Sequence, residues 1–280
     1  MKLRIAALLL VVAAAGYVAT VGAAVDPLRL TVLLVAGFLA STGSSATNCY
    51  FDRDIDELMG RTRQRALPQH RIDPPWKVLA FGASLALLGV ALALVAINAL
   101  TAAFVALGAF VYLGVYTLGL KRRNEWNIVI GGFAGSCPAL AGSAAGINEV
   151  SLPAALLGLL VFLWTPGHFW SLAFHQREDY RRAGLPMLPV TRDEASAVRA
   201  ITASTAAVVV VAILFYFTAA FGVPYLLIAG ASGAVVIALA ARFAREPNDR
   251  TAWAGYKASS LYLGVVLLGA IADALLRFRV

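Results

Sequence analysis

Charge is scarce in this chain: of 280 residues only 14% are Asp, Glu, Lys or Arg, against about a quarter in an ordinary soluble domain. Cysteine is scarcer still. Cys49 and Cys137 are the only two and both lie in or beside apolar runs, which excludes a disulfide framework and a four-cysteine zinc site. Also missing is any polar stretch large enough to fold alone, so a length that would allow two soluble domains reads instead as one integral membrane domain over 1–280. There is no short repeat, and no low-complexity tract beyond Ala/Val/Leu-rich helix composition.

What is abundant is apolar surface, with 60% of residues hydrophobic. A spanning helix needs about 20 mostly apolar residues, and nine segments meet that: 5–24, 28–47, 78–97, 100–120, 127–147, 152–173, 200–221, 224–241 and 258–276. The expected fold is all-α, a polytopic bundle of nine transmembrane helices. Asp26-Pro27, Asn98 and Gly222-Val223-Pro224 mark very short connections, while the alternate connections are longer and charged. Lys and Arg divide 20 to 3 between the two sides, with only Arg29, Arg277 and Arg279 on the poorer one. By the positive-inside rule the rich side is cytoplasmic, which places the amino terminus inside, the carboxyl terminus outside and the protein in the cell membrane. The start Met1-Lys2-Leu3-Arg4 also has the form of a signal peptide, but removing it leaves eight spans and does not improve the charge count.

The net charge of +8 would raise nucleic acid as a partner in a soluble protein. Here the basic residues sit in loops between apolar runs, so they mean orientation and contact with anionic lipid headgroups, and nucleic acid is not an expected partner.

The informative cluster follows the second span, where Asp52, Asp54, Asp56 and Glu57 fall within six residues at the cytoplasmic end of a helix. If the helix continues, Asn48, Asp52 and Asp56 share one face and Asp54 points away. Such a cluster is often just a solvated helix end. Carboxylates stacked four apart repel, however, and acids at a helix C-terminus oppose its dipole, so the arrangement is unfavourable unless a cation joins it. Mg²⁺ typically takes one or two carboxylates and leaves its other positions to water and substrate phosphates. Arg53, Arg61, Arg63 and Arg65 nearby supply forks suited to phosphate oxygens, so the set describes a metal–diphosphate site.

Asn48-x-x-x-Asp52-x-x-x-Asp56 resembles the first signature of the UbiA superfamily of intramembrane prenyltransferases. The longer string from Asn48 to Arg65 with Leu67-Pro68 is similar to the branch of that superfamily that farnesylates heme. The same holds for Lys121-Arg-Arg123 leading into Asn127–Gly132, for Trp164-Thr-Pro166 with His168-Phe-Trp170, and for the block from Asp179 to Pro189. These blocks lie in order from Lys2 to about Val190. The chain departs from the pattern in three places. Lys2-Leu3-Arg4 stands for the usual Lys-Pro-Arg; Ala139 and Ser143 occupy a stretch where a second Pro and a Trp are expected, predicting an altered pocket wall; and His175 stands four before Asp179 where the wider superfamily has an acid.

The resemblance implies transfer of a farnesyl group from farnesyl diphosphate to a vinyl group of heme b, with water addition, giving heme O and diphosphate. It implies Mg²⁺ as cofactor, held by Asp52, Asp56 and Asp179 with Asn48 as neutral ligand or orienter. Arg53, Arg61, Arg65, Lys121, Arg122, Arg123 and Arg181 become candidate diphosphate contacts. It further implies contact with heme A synthase or oxidase assembly proteins. His168 and His175 share a helical face with Asp179; His168 is a candidate for heme iron or the leaving group, or else a packed histidine. Trp164, Phe169 and Trp170 suit either a porphyrin wall or an interfacial aromatic belt. His70 reads as solvated. Asp273, the one acid within an apolar span, is expected to pair with Arg277 rather than relay protons.

Three other readings compete: a related prenyltransferase acting on a quinone precursor, a chlorin or a lipid glycerol; a transporter; and a heme chaperone without turnover. Transporter sites lie near the bilayer midplane, whereas these acids cluster at the cytoplasmic edge.

Overall fold

The computed structural model describes residues 3–277. Lys2 of the amino-terminal motif, Arg279 and the carboxyl-terminal residue lie outside that range. Among the described residues there are helices and loops and no strands, and nine helical spans are long and apolar enough to cross a membrane.

The helices are α1 (Leu3–Val21), α2 (Pro27–Phe51), the short α3 (Arg53–Leu58), α4 (Trp76–Ala96) and α5 (Ala99–Phe110). A π-helical segment, Val111–Leu120, continues α5. There follow α6 (Asn127–Gly131), α7 (Phe133–Ile147), α8 (Leu152–His175), α9 (Arg177–Arg182), α10 (Leu188–Thr191) and α11 (Glu194–Leu214), the last extended by a 3₁₀ turn at Phe215–Thr218. The chain closes with α12 (Val223–Arg245) and α13 (Asp249–Arg277).

Helix starts follow local chemistry. Asp26 accepts from Leu28 N at 2.9 Å and Arg29 N at 3.1 Å ahead of Pro27; Asn98 accepts from Thr101 N at 2.7 Å; Asp193 accepts from Ser196 N at 2.9 Å. Each satisfies amides that have no partner within the helix itself. At the end of the bundle that carries the charged loops several helices overrun the apolar runs. α8 reaches His175, α11 begins at Glu194, and α12 and α13 extend until only Glu246–Asn248 joins them. Hydropathy marks the hydrocarbon layer, whereas backbone hydrogen bonding carries a helix on into water.

In lipid, helix association rests on close packing rather than on water exclusion. α1 lies along α7, α2 along α4 and α12 along α13. A Cβ on Gly16 would stand 2.2 Å from Ala139 O and one on Gly142 equally close to Ala13 O, so α1 and α7 touch backbone to backbone. Larger side chains there would force the helices apart and with them the α7–α8 half of the bundle.

Candidate metal–diphosphate site

α2 ends at Phe51 and Asp52 forms a junction (φ −93°, ψ 0°) before α3 begins. The i+4 ladder nonetheless bridges the break: Asp52 N donates to Asn48 O at 2.9 Å and Asp56 N to Asp52 O at 2.8 Å. Asn48, Asp52 and Asp56 are therefore all buried, at 1%, 1% and 3% exposure, while the Asp54 side chain is 60% exposed.

Burying two carboxylates four residues apart is costly without cations, and the fold brings one to each. Lys121, at the end of the π-helical segment, pairs with Asp52 Oδ2, and Arg65 Nη1 meets Asp56 Oδ2 at 2.6 Å. Asn48 Nδ2 donates to Asp52 Oδ2 at 2.8 Å and to Thr117 Oγ1 at 3.1 Å. Asp52 Oδ1 is buried and accepts no hydrogen bond, so one oxygen of this carboxylate still has lone pairs to offer. Oxygen donors of this kind suit a hard cation such as Mg²⁺, which completes its shell with phosphate and water. Among the described residues, no three of His, Cys, Asp and Glu close on one another as an all-protein cage.

Asp179 joins from the other half of the chain. Its Oδ2 accepts from Gly60 N at 2.9 Å, in the loop that follows α3, and its Oδ1 pairs with Arg182. A Cβ at Gly60 would sit 3.2 Å from Asp179 Oδ2, so this approach suits glycine. Burial pushes the Tyr180 phenol above its ordinary pKa, while the charge of nearby Arg61 opposes the shift.

Other basic residues are placed elsewhere. Arg122 forks onto Asp54 (2.6 and 2.7 Å) and also donates to Phe51 O at 2.8 Å, capping the end of α2. Its guanidinium holds the Asp54 carboxyl below the usual aspartate pKa, and is itself raised. Arg53 lies over the Tyr50 ring at 4.4 Å. Arg181 pairs with Glu178 at 2.6 Å, both well exposed, and Arg123 is exposed. Thus Asn48, Asp52, Asp56, Arg65 and Lys121 come together, Asp179 and Arg61 border them through the 59–62 loop, and Arg53, Arg122, Arg123 and Arg181 face outward.

His168 is buried on α8. Its Nδ1 lies 2.7 Å from Ser259 Oγ, and its ring is stacked between Trp164 (4.1 Å) and Tyr256 (4.4 Å). Trp164 Nε1 donates to Ser259 O at 2.9 Å. Tyr256 in turn stacks on Trp253, and Trp253 on His175, so α8 and α13 share a column of five rings. The two departures from the family pattern lie in α7. Ala139 is the contact that lets Gly16 approach, and Ser143 Oγ donates to Glu149 O while accepting from Ser151 N, both at 2.8 Å, stapling the turn into α8. A cavity of about 320 Å³ lies at the opposite end of the bundle, among Thr20, Ser151, Thr218 and Arg277.

Thr117, Ser259 and Tyr256 are absent from the sequence-based site. Thr117 carried one faint signal: a polar residue near the end of an otherwise apolar span, four before Lys121. Ser259 and Tyr256 carried none, because their partners are about 90 residues away in sequence.

A nine-span helical bundle with two buried, cation-paired carboxylates at one end has the architecture of an intramembrane transferase. The chain belongs to the UbiA prenyltransferase family, whose pattern matches residues 9–263. It is 43% identical over 271 residues to the protoheme IX farnesyltransferase of Pyrobaculum neutrophilum, covering 97% of each chain. Among solved structures it is similar to a digeranylgeranylglyceryl phosphate synthase (TM-score 0.78, 24% identity, 98% of this chain and 99% of that one). It is also similar to a UbiA homologue from Archaeoglobus fulgidus bound to DMAPP and Mg²⁺ (TM-score 0.69, 18% identity, 96% and 97%). These two likenesses establish the fold.

Proposed function

We propose that the chain, acting over 1–280 as one membrane domain, transfers the farnesyl group of farnesyl diphosphate to a vinyl group of heme b, giving heme O and diphosphate. The observation that carries this is the 43% identity to a protoheme IX farnesyltransferase along nearly the whole of both chains. The fold alone does not select an acceptor, since a glyceryl phosphate synthase shares it.

Asp52 and Asp56 would hold Mg²⁺ with Asn48 beside them, and Asp179 would anchor a second ion. A metal held there would supply neutralisation of the charge that develops on diphosphate as the allylic C–O bond breaks. The electron pair of that bond leaves with the diphosphate oxygen. Lys121 and Arg65, which pair with the two acids, lie where they would also meet the diphosphate. Arg61 completes this group. Arg53, Arg122, Arg123 and Arg181 reach the diphosphate only by leaving their positions in this structure; Arg122 gives up Asp54 and Arg181 gives up Glu178. The apolar bundle keeps water from the allylic cation until a vinyl carbon of heme b attacks it. Water then adds to the cation formed on the heme side chain and releases its proton, leaving a hydroxyethylfarnesyl group. His168, enclosed between Trp164 and Tyr256, would meet the porphyrin only by its ring edge.

Both organic substrates reach the site from the membrane lipids. The acid cluster, the amino terminus and the arginine-rich loops lie on the cytoplasmic side of the cell membrane, and the carboxyl terminus lies outside. Heme O passes on to heme A synthase or oxidase assembly proteins. Incubating purified protein with heme b, farnesyl diphosphate and Mg²⁺ and weighing the products tests the proposal. Heme carrying one hydroxyethylfarnesyl group is expected; prenylation of 4-hydroxybenzoate or a chlorin with heme b untouched would overturn it.

A further inference from the structure

Five threonines of the spanning helices share a back-bond that Thr117 does not make. Thr20, Thr42, Thr165, Thr202 and Thr205 each donate to the carbonyl four residues back, at 2.6–2.8 Å, as expected in an α-helix. Thr117 donates to Tyr112 O, five back, at 2.7 Å. The cause is the π-helical run Val111–Leu120, in which Lys121 N also reaches back five residues, to Tyr116 O at 2.8 Å. A wider turn of this kind shifts everything after it by about one residue, or about 100° around the axis, relative to an uninterrupted α-helix. That rotation turns Thr117 and Lys121 together toward the end of α2.

The proton count then fixes a direction. A hydroxyl has one proton, and the Tyr112 carbonyl has none to give, so Thr117 donates to Tyr112 and accepts from whatever else touches it. Its other partner is Asn48 Nδ2 at 3.1 Å. Asn48 must therefore present its amino group rather than its carbonyl to Thr117, and the second amino hydrogen runs to Asp52 Oδ2 at 2.8 Å. With Oδ2 taken by Asn48 and Lys121, it is Asp52 Oδ1 that is buried and accepts nothing.

We propose that Thr117 is a positioning residue for the metal site: held by the π-helical register, its hydroxyl fixes the orientation of the Asn48 carboxamide and so presents Asp52 Oδ1 to the cation. The inference rests on the Mg²⁺ reading above, and its test separates the two. Groups that orient a metal ligand typically contribute 10- to 100-fold in affinity.

Mn²⁺ serves as an EPR-visible substitute for Mg²⁺ in titrations of the full-length protein in detergent. Thr117→Val keeps shape and removes the hydroxyl; it should bind Mn²⁺ about tenfold more weakly and raise the KM for Mg²⁺ similarly, with kcat recovering at saturating Mg²⁺. Thr117→Ser keeps the hydroxyl and should restore affinity. Thr42→Val, which loses an ordinary back-bond in α2, should bind as the unmodified protein does. Wild-type affinity in Thr117→Val, or equal loss in Thr117→Ser, overturns the role of the hydroxyl. No Mn²⁺ binding by the unmodified protein overturns the metal reading, and this inference with it.

Discussion

Two buried aspartates stand at opposite ends of this bundle, both 1% exposed. At one end Asp273 Oδ2 accepts from Gly222 N at 2.8 Å and pairs with Arg277 Nε at 3.1 Å, while Oδ1 takes a longer bond from Tyr225 N at 3.4 Å. It supplies from α13 the cap that Gly222 cannot give to α12. At the other end the Asp52 carboxylate meets only side chains, its cation comes from a different helix, and Oδ1 is left without a hydrogen bond. Burial alone therefore does not mark function. Asp273 spends both oxygens on backbone and a near neighbour, whereas Asp52 keeps one oxygen without a hydrogen bond, at a desolvation cost of about 1–3 kcal/mol.

The largest effect that sharpens this contrast is on turnover. Asp52→Asn or Asp56→Asn should lower kcat about 10³-fold, the scale seen when a group stabilising a developing anion is removed, while the protein still inserts and stays folded. Equal losses in Asp54→Ala would point to a folding defect instead, because the Asp54 carboxylate faces outward. Asp273→Ala should do the reverse, costing about 2–4 kcal/mol of stability through uncapped backbone and a stranded Arg277, with kcat for the surviving protein within about threefold. Denaturation midpoints and steady-state rates on the same preparations check both. His168→Ala should raise the KM for heme b about tenfold and leave that for farnesyl diphosphate nearly unchanged, because its ring is part of the aromatic column and not of the acid cluster.

The smallest effect is a pH dependence at Asp54. Arg122 lowers its carboxyl pKa in the fold from the ordinary 3.8, so the pair's contribution is fully present above that value and is lost as pH falls through the lower folded value. With the partners largely exposed the contribution is slight. Asp54→Asn should flatten the acid limb of the stability profile below about pH 4.

Much of this was legible in residue order. The nine spans follow from runs of about 20 apolar residues, and the shared face of Asn48, Asp52 and Asp56 from their spacing. The pairing of Asp273 with Arg277 followed from four-residue proximity. The break at Asp52 was not legible, because the hydrogen bonds that cross it preserve the spacing a continuous helix would show. Nor was the π-helical run, which is as apolar as the α-helix it extends. Where a cation ends up is a matter of tertiary contact: Lys121 and Arg122 are adjacent in sequence, yet one pairs with buried Asp52 and the other with exposed Asp54.

The measurement that bears most directly on the claim that Asp52 and Asp273 do different work is the thermal shift produced by Mg²⁺ with farnesyl diphosphate. A ligand that binds only the folded state raises the melting temperature, by an amount that grows with the logarithm of its concentration over Kd. The unmodified protein should show a clear rise, Asp273→Asn should start lower and show the same rise, and Asp52→Asn should show none. A full rise in Asp52→Asn, or its loss in Asp273→Asn, would contradict the account.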